Sequence, residues 1–263
     1  MPQTLLDPIP VAGVFVGFVL VSLLTFEMGF RLGRWRKTRN PDEHEGASGT
    51  LVGALLGLLA FLLAIAMGIA ADRFDTRRGL VLEEATTINT AYLRAGYLPD
   101  PYQGEIRTLL REYVPLRIIP EDPDVGVELA NLARSVEIQD ELWAITEEVA
   151  IDLDRSDIIA LYVESVNDII TVSSQRITAG IYARVPDTIL VFLLLLAFGS
   201  IGMVGFGAGQ AGKRSIVTAT IMIVALGATL TLVVDLDRPR EGLLQISQRP
   251  LIELQQRIGE PEP

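Results

Sequence analysis

The chain has 263 residues, 49% of them hydrophobic, and carries 33 acidic against 22 basic side chains for a net charge of −11. With no cysteine and a single histidine, His44, disulfides, thiolate metal sites and a His-rich metal site within one chain are excluded. The block 72–185 holds 21 acidic and 11 basic residues, which argues against nucleic acid as a partner.

A chain this apolar and this charged must segregate the two kinds of residue, and it does. Uncharged runs occupy roughly 9–26, 49–71, 188–209 and 216–234. Each has about 18 to 23 residues, the length a helix needs to cross about 30 Å of hydrocarbon. Four transmembrane helices are predicted. No basic residue precedes the first run, whereas Asp7 does, so it reads as a retained span rather than a cleaved signal.

After the first span a connector, 31–48, is basic first (Arg31, Arg34, Arg36, Lys37, Arg39) and acidic afterwards. The second span carries Gly49, Gly53 and Gly57 at four-residue spacing, then Ala60, Ala64 and Gly68 on a neighbouring face. Small residues so spaced let helix backbones approach closely in lipid. They pack either on another span of the same chain or on a second subunit.

Beyond Ala71 the apolar positions Phe74, Val81, Ala85, Ile88, Tyr92 and Ala95 keep helical spacing. The second span is therefore predicted to leave the membrane without a break, as a stalk that ends at Gly96, Pro99 and Pro101. Ile106, Leu109, Leu110 and Tyr113 form the stripe of a helix that Pro115 bends or ends. Leu129, Leu132 and Val136, then Ile138, Leu142, Ile145 and Val149, serve the next, after a turn at 121–124. A last helix over about 156–183, with Ile159, Val163, Val166, Ile170, Ile177 and Ile181 as a seam, feeds span three through Pro186 and Asp187. The tail after 235 has too many apolar residues to leave in water, so it packs on the helical domain or lies at the membrane surface.

The predicted fold is all-α, an integral membrane protein of four spans with an extramembrane helical bundle inserted between spans two and three. Its segments are 1–48, the first span and basic connector; 49–71, the second span; 72–185, the bundle; 186–235, spans three and four; and 236–263, an amphipathic tail.

Three groups of residues invite a functional reading. Gly207, Gly209, Gly212 and Lys213 imitate a phosphate-binding glycine motif, but such motifs need a short strand before the glycines. Here apolar runs of about twenty residues flank them, so they read as a membrane hairpin and no nucleotide is expected. Asp235, Asp237 and Glu241 form a weak cation-site candidate whose plainer reading is a polar helix end. The stalk charges Arg73, Arg77, Arg78, Glu83, Glu84 and Arg94 either line an ion vestibule or make interhelical pairs and a solvated face, the latter preferred. Glu27, one turn before Arg31, reads as an interfacial pair. No ionisable residue lies mid-span, which argues against a proton relay. No catalytic arrangement appears, so neither enzymatic activity nor a cofactor is expected.

Taken together, the Arg-Phe-Asp-x-Arg-Arg run at 73–78, Glu84-Ala85, Thr-Ala-Tyr-Leu-Arg at 90–94 and Asp-Leu-Asp-Arg-Pro at 235–239 resemble a bacterial membrane family described as bestrophin-like. The resemblance covers nearly the whole chain and implies residence in the bacterial inner membrane. Bestrophins are pentameric ion channels whose chains likewise run two spans, a helical domain, two spans and a tail, with the second span lining the pore. Carried over, the resemblance implies a homo-oligomer that passes inorganic ions. Its apolar neck falls on Phe61, Ile65 and Ile69; in such an oligomer the small-residue face read above, Gly49, Gly53, Gly57 and Ala64, allows close packing, and the unbroken second span ties the neck to the charged domain. The acidic calcium clasp of animal bestrophins is reduced here to Asp235, Asp237 and Glu241. The competing class is a non-conducting membrane scaffold or sensor whose helical domain binds a partner. Orientation stays open: the density of Lys and Arg in the two short loops puts them in the cytoplasm, and a bestrophin-type arrangement reverses this.

Overall fold

The computed structural model describes residues 8–39, 46–119, 124–153, 156–181, 184–212, 214–238 and 242–259. Glu241, His44, Lys213 and the turn residues 121–123 lie outside the described residues. The described residues form eight α-helices and no strand: α1 (Val11–Arg39), α2 (Gly46–Ala95), α3 (Tyr102–Leu116), α4 (Val125–Asp152), α5 (Asp157–Ile181), α6 (Asp187–Ala211), α7 (Ile216–Asp237) and α8 (Arg249–Gly259). Of these, α1, α2, α6 and α7 are long and apolar enough to cross a membrane.

Helix α2 is continuous over 50 residues, about 75 Å at 1.5 Å per residue. The predicted continuation past Ala71 is therefore present. Nothing in that stretch breaks a helix: it has no proline, and threonines 86, 87 and 90 turn their hydroxyls back onto carbonyls one turn earlier. Helix α1 also runs further than its apolar stretch. The basic segment expected as connector is helical to Arg39, where Arg36, Lys37 and Arg39 favour the negative end of the helix dipole. Pro115 lies inside the last turn of α3, one residue before the last helical position, Leu116. Pro186 stands as the N-cap of α6, one position earlier than expected, and Asp187 opens the first turn. Asp124 caps α4, accepting from Gly126 N at 2.7 Å and Val127 N at 3.3 Å.

The chain divides into two compact units. The first comprises Met1–Phe74 and Ile181–Gln245. In it α1 packs along α6 and against α7. Its core takes Phe18 and Phe26 from α1, Leu59, Leu63, Ala66 and Ala70 from α2, Leu193, Ala197 and Ile201 from α6, and Ile223, Leu230 and Val233 from α7. The α1–α6 contact is backbone on backbone. A Cβ added at Gly29 would stand 2.1 Å from Gly202 O, one at Gly33 2.1 Å from Phe206 O, and one at Gly205 2.2 Å from Phe26 O. Only glycine permits that approach.

The second unit comprises Asp75–Gly180 and Ile246–Pro263. Its core joins Ile88, Ala91 and Ala95 of α2, Ile106, Leu110 and Tyr113 of α3, Ile138, Leu142 and Val149 of α4, Tyr162, Val166 and Ile169 of α5, and Leu251, Leu254 and Ile258 of α8. The stalk seam Val81, Ala85, Ile88, Tyr92 and Ala95 is buried as expected. The tail packs on the helical core through α8, which lies against α3. One stripe differs from expectation: Leu129 and Val136 are exposed, while Ile138, Leu142 and Val149 are buried. Val136 and Ile138 stand about 200° apart on a helix, so both rows cannot face one core.

Candidate functional site

Helix α2 shows two faces within the first unit. Leu59, Leu63, Ala66 and Ala70, stepping by four, three and four, are buried. On the other side Gly53, Gly57, Phe61, Ala64, Ile65 and Gly68 are exposed. Phe61 is 63% and Ile65 45% exposed, whereas Ile69 is half-buried and packs on the core. Each four-residue step rotates about 40° around a helix, so a row that begins outward at Phe61 has drifted by about 80° at Ile69.

Gly49, Gly53, Gly57 and Gly68 of α2 meet no close neighbour among the described residues: a Cβ built at any of them has nothing within 4 Å. Among the described residues these glycines thus make no close approach to another span of the same chain. The close helix contact is made instead by Gly29 and Gly33 with Gly202, Gly205 and Gly209. Two glycines of the imitation nucleotide motif have structural roles here. Gly209 lies inside α6, where a Cβ would stand 2.2 Å from Phe30 O, and Gly212 (φ +66°) is its left-handed C-cap.

The charged stretch that follows sorts itself by face. Arg78 and Glu83 are exposed, Arg73 is half-buried, and half-buried Arg94 donates from Nη1 to Leu161 O. Arg77 and Glu84 are buried, Glu84 completely. Arg117 Nε donates to Glu84 Oε1 at 2.6 Å, and Arg176 Nη1 donates to Glu84 Oε2. Arg176 further donates to Arg117 O and to Gln248 Oε1, both at 3.0 Å. The guanidinium of Arg117 lies 5.8 Å from the Tyr113 ring centre, and Gln139 Nε2 donates to Tyr113 OH at 2.8 Å. Burial pushes the Tyr113 phenol up. Burial works most strongly against the charge on Arg117, but Glu84 and Tyr113 together outweigh it and the guanidinium is held above its ordinary value. Glu84 is thus paired between elements, whereas Arg94 reaches a backbone carbonyl of α5. The preferred sequence reading missed Arg117, Arg176 and Gln248 as partners. Arg176 did carry a signal, as the one charged residue between Asp168 and Arg184.

Asp235 and Asp237 are buried at the end of α7 and direct their oxygens at backbone. Asp235 accepts from Leu243 N at 2.8 Å and Leu244 N at 3.2 Å, and Asp237 Oδ1 from Val185 N at 2.7 Å. Gly242 (φ +154°) lets the chain turn there, where a Cβ would stand 2.4 Å from Asp235 Oδ1. Among the described residues no three metal-type side chains converge. The arrangement ties the chain after α7, and the segment before α6, to the helix end.

A bestrophin-like domain model matches residues 13–251. The chain belongs to the bestrophin-like family. The structural matches agree with that membership. The fold superposes on two single-substitution variants of a bacterial bestrophin homologue from Klebsiella pneumoniae, with TM-scores of 0.66 and 0.67 at 14% identity. The alignments cover 94% of this chain and 97% and 99% of the homologue chains. A third crystal structure, described as a membrane protein, matches with a TM-score of 0.66 at 14% identity over 94% of this chain and 97% of its own. No curated protein sequence matches. The recurring fold of this bestrophin-like protein thus extends over nearly its full length.

Proposed function

We propose that this bestrophin-like protein is a homo-oligomeric channel for inorganic ions, with several copies of α2 arranged round an axis and its outward face lining the path. The carrying observation is the exposure of that face. In the most apolar stretch of each membrane-length helix, 17% of residues are buried for α2 against 28–33% for the other three. Phe61 and Ile65 would form an apolar constriction that gates by dewetting, with Ile69 closing its inner edge. Gly49, Gly53, Gly57 and Ala64 would let neighbouring copies approach closely. Residues 72–185 would stand outside the membrane as a helical bundle, where Arg78 and Glu83 meet the passing ion, and 236–263 would be its amphipathic tail. A bacterial inner membrane suits this reading.

A second reading, a non-conducting scaffold whose helical domain binds a partner, draws on the second unit. Leu129, Val136 and Trp143 recur at seven-residue steps on α4 and are all exposed. Planar-bilayer recordings separate the two. The purified oligomer should carry current, and Phe61→Ala or Ile65→Ala should raise it by widening and wetting the constriction. A monomeric parent, or an oligomer silent across salts, pH and calcium with both alanine variants also silent, would end the channel reading.

A further inference from the structure

We propose that the C-terminal end of α1 binds anionic phospholipid headgroups through Arg31, Trp35 and Arg39. The buried face of α1 is Val14, Phe18, Ser22, Phe26, Phe30 and Gly33. Its other face carries Leu20, Leu24, Met28 and Leu32 at four-residue steps, all more than half exposed. At 100° per residue these four sweep about 120° of the helix, and Arg31, Trp35 and Arg39 fall within the same arc. One stripe thus passes from the aliphatic Leu20, Leu24 and Met28 to a mixed end in which Arg31, Leu32, Trp35 and Arg39 follow in order, along a helix long enough to cross a membrane.

That order is the chemistry of a bilayer read from hydrocarbon to headgroup. Uncovered aliphatic side chains suit acyl chains, an exposed tryptophan suits the interface, and guanidinium groups a turn to either side of it, Arg31 on a stem long enough to reach the headgroups, suit phosphate. Arg39 Cζ lies 4.5 Å from the Trp35 ring centre, and Arg31 stands one turn before the ring, its side chain 79% exposed. Glu27 fixes the level from beneath: it accepts from Arg31 Nε at 2.9 Å and from Arg214 Nη2, ahead of α7, at 2.8 Å. In sequence, residues 27–39 hold five basic side chains and one acidic one, Glu27, and Arg214 adds a sixth basic group beside it. The acidic members of the segment, Asp42, Glu43 and Glu45, come later in the sequence. Guanidinium pairs with any lipid phosphate, but the net positive field favours a headgroup with net negative charge. A second copy of this face is a poor alternative occupant, because it would set like charges against each other.

The chain has two tryptophans, Trp35 and Trp143, so full-length Trp143→Phe reports from Trp35 alone. It is reconstituted in phosphatidylcholine with increasing fractions of brominated phosphatidylglycerol or brominated phosphatidylcholine, and quenching is followed. The anionic lipid should reach half-quenching at a mole fraction at least about fivefold lower, the factor expected from one basic residue near an anionic surface. Arg31→Gln with Arg39→Gln should bring the two curves together while both lipids still quench. Arg39→Lys should keep them apart, and added salt should narrow the gap. Coincident curves in the parent, a gap untouched by the double substitution, or no quenching by either lipid because another chain covers the ring would each overturn the assignment.

Discussion

Arg117 Nε and Glu84 Oε1 lie 2.6 Å apart with 6% and 0% of their side chains exposed. Glu84 also holds Arg176, whose side chain is 10% exposed, so one carboxylate serves two guanidinium groups. Removing it leaves two buried cations facing each other, a loss on the order of 3–5 kcal/mol. Glu84→Ala should therefore melt far below the parent in detergent. Glu84→Gln should fall between them, because the amide oxygen still accepts from one partner. An alanine variant that melts with the parent would show that the cluster is not what holds α2, α3 and α5 together.

The glycines on α1 and those on α2 should behave oppositely. Gly29→Ala puts a methyl 2.1 Å from the backbone oxygen of Gly202, which no side-chain rotation relieves. The helices must part, at about 1–3 kcal/mol or more. Gly53→Ala meets open space and replaces a poor helix former, so the chain itself should gain up to about 1 kcal/mol. Any loss seen in Gly53→Ala should be one of assembly, read as a shift in oligomer size with the helical signal intact. Equal thermal losses in the two variants would contradict this contrast.

The spans, the unbroken α2 and its buried seam were legible in the sequence because composition and a 3.6-residue period act locally. Which of two adjacent acids turns inward was not. Glu83 and Glu84 look alike in one dimension, and Arg117 and Arg176, 33 and 92 positions further on, decide between them. The glycine rows were visible, but spacing does not say which helix a small face meets, and the rows on α1 and α6 met each other. In α4 the apolar residues lie on two rows, and only packing chose Ile138 over Val136. Asp235 and Asp237 were weighed as cation ligands because carboxylates close in sequence suggest metal, and the backbone donors from residues 185, 243 and 244 that engage them carry no side-chain signature.

Those donors give the two aspartates a structural role with a measurable size. Asp235→Ala leaves Leu243 N and Leu244 N without their acceptor in a part-buried turn, about 1–3 kcal/mol. The variant should melt lower, and the chain after α7 should become more open to protease. Calcium should leave the melting temperature of the parent unchanged, since the Asp235 and Asp237 oxygens already accept from backbone. A rise in the parent on adding calcium, lost in Asp235→Ala, would return these residues to metal binding.

Alkaline pH should expose the cost of burying Tyr162. Its side chain is completely buried, and its hydroxyl lies 3.3 Å from Thr146 Oγ1, whose own hydrogen goes to Leu142 O at 2.7 Å. Burial pushes the phenol up to about 12 from an ordinary 10.0, with Thr146 pulling weakly the other way. Below pH 10 both folded and unfolded chains keep the proton, and Tyr162 adds no pH dependence. Between about 10 and 12 the unfolded chain releases the proton while the folded chain retains it, so stability falls as pH rises, by about 1.4 kcal/mol per pH unit. Tyr162→Phe has no proton to release. At neutral pH the variant should lose about 0.5–1.5 kcal/mol with the long hydrogen bond, and above pH 10 that deficit should shrink and then reverse. The phenylalanine chain will still weaken somewhat with alkali, because burial raises Tyr113 and the Asp152 carboxylate raises Tyr102 in the same direction. Denaturant unfolding of both proteins at steps from pH 9 to pH 12 gives the difference directly. Parallel curves across that range would mean that the Tyr162 hydroxyl is open to water in the folded protein.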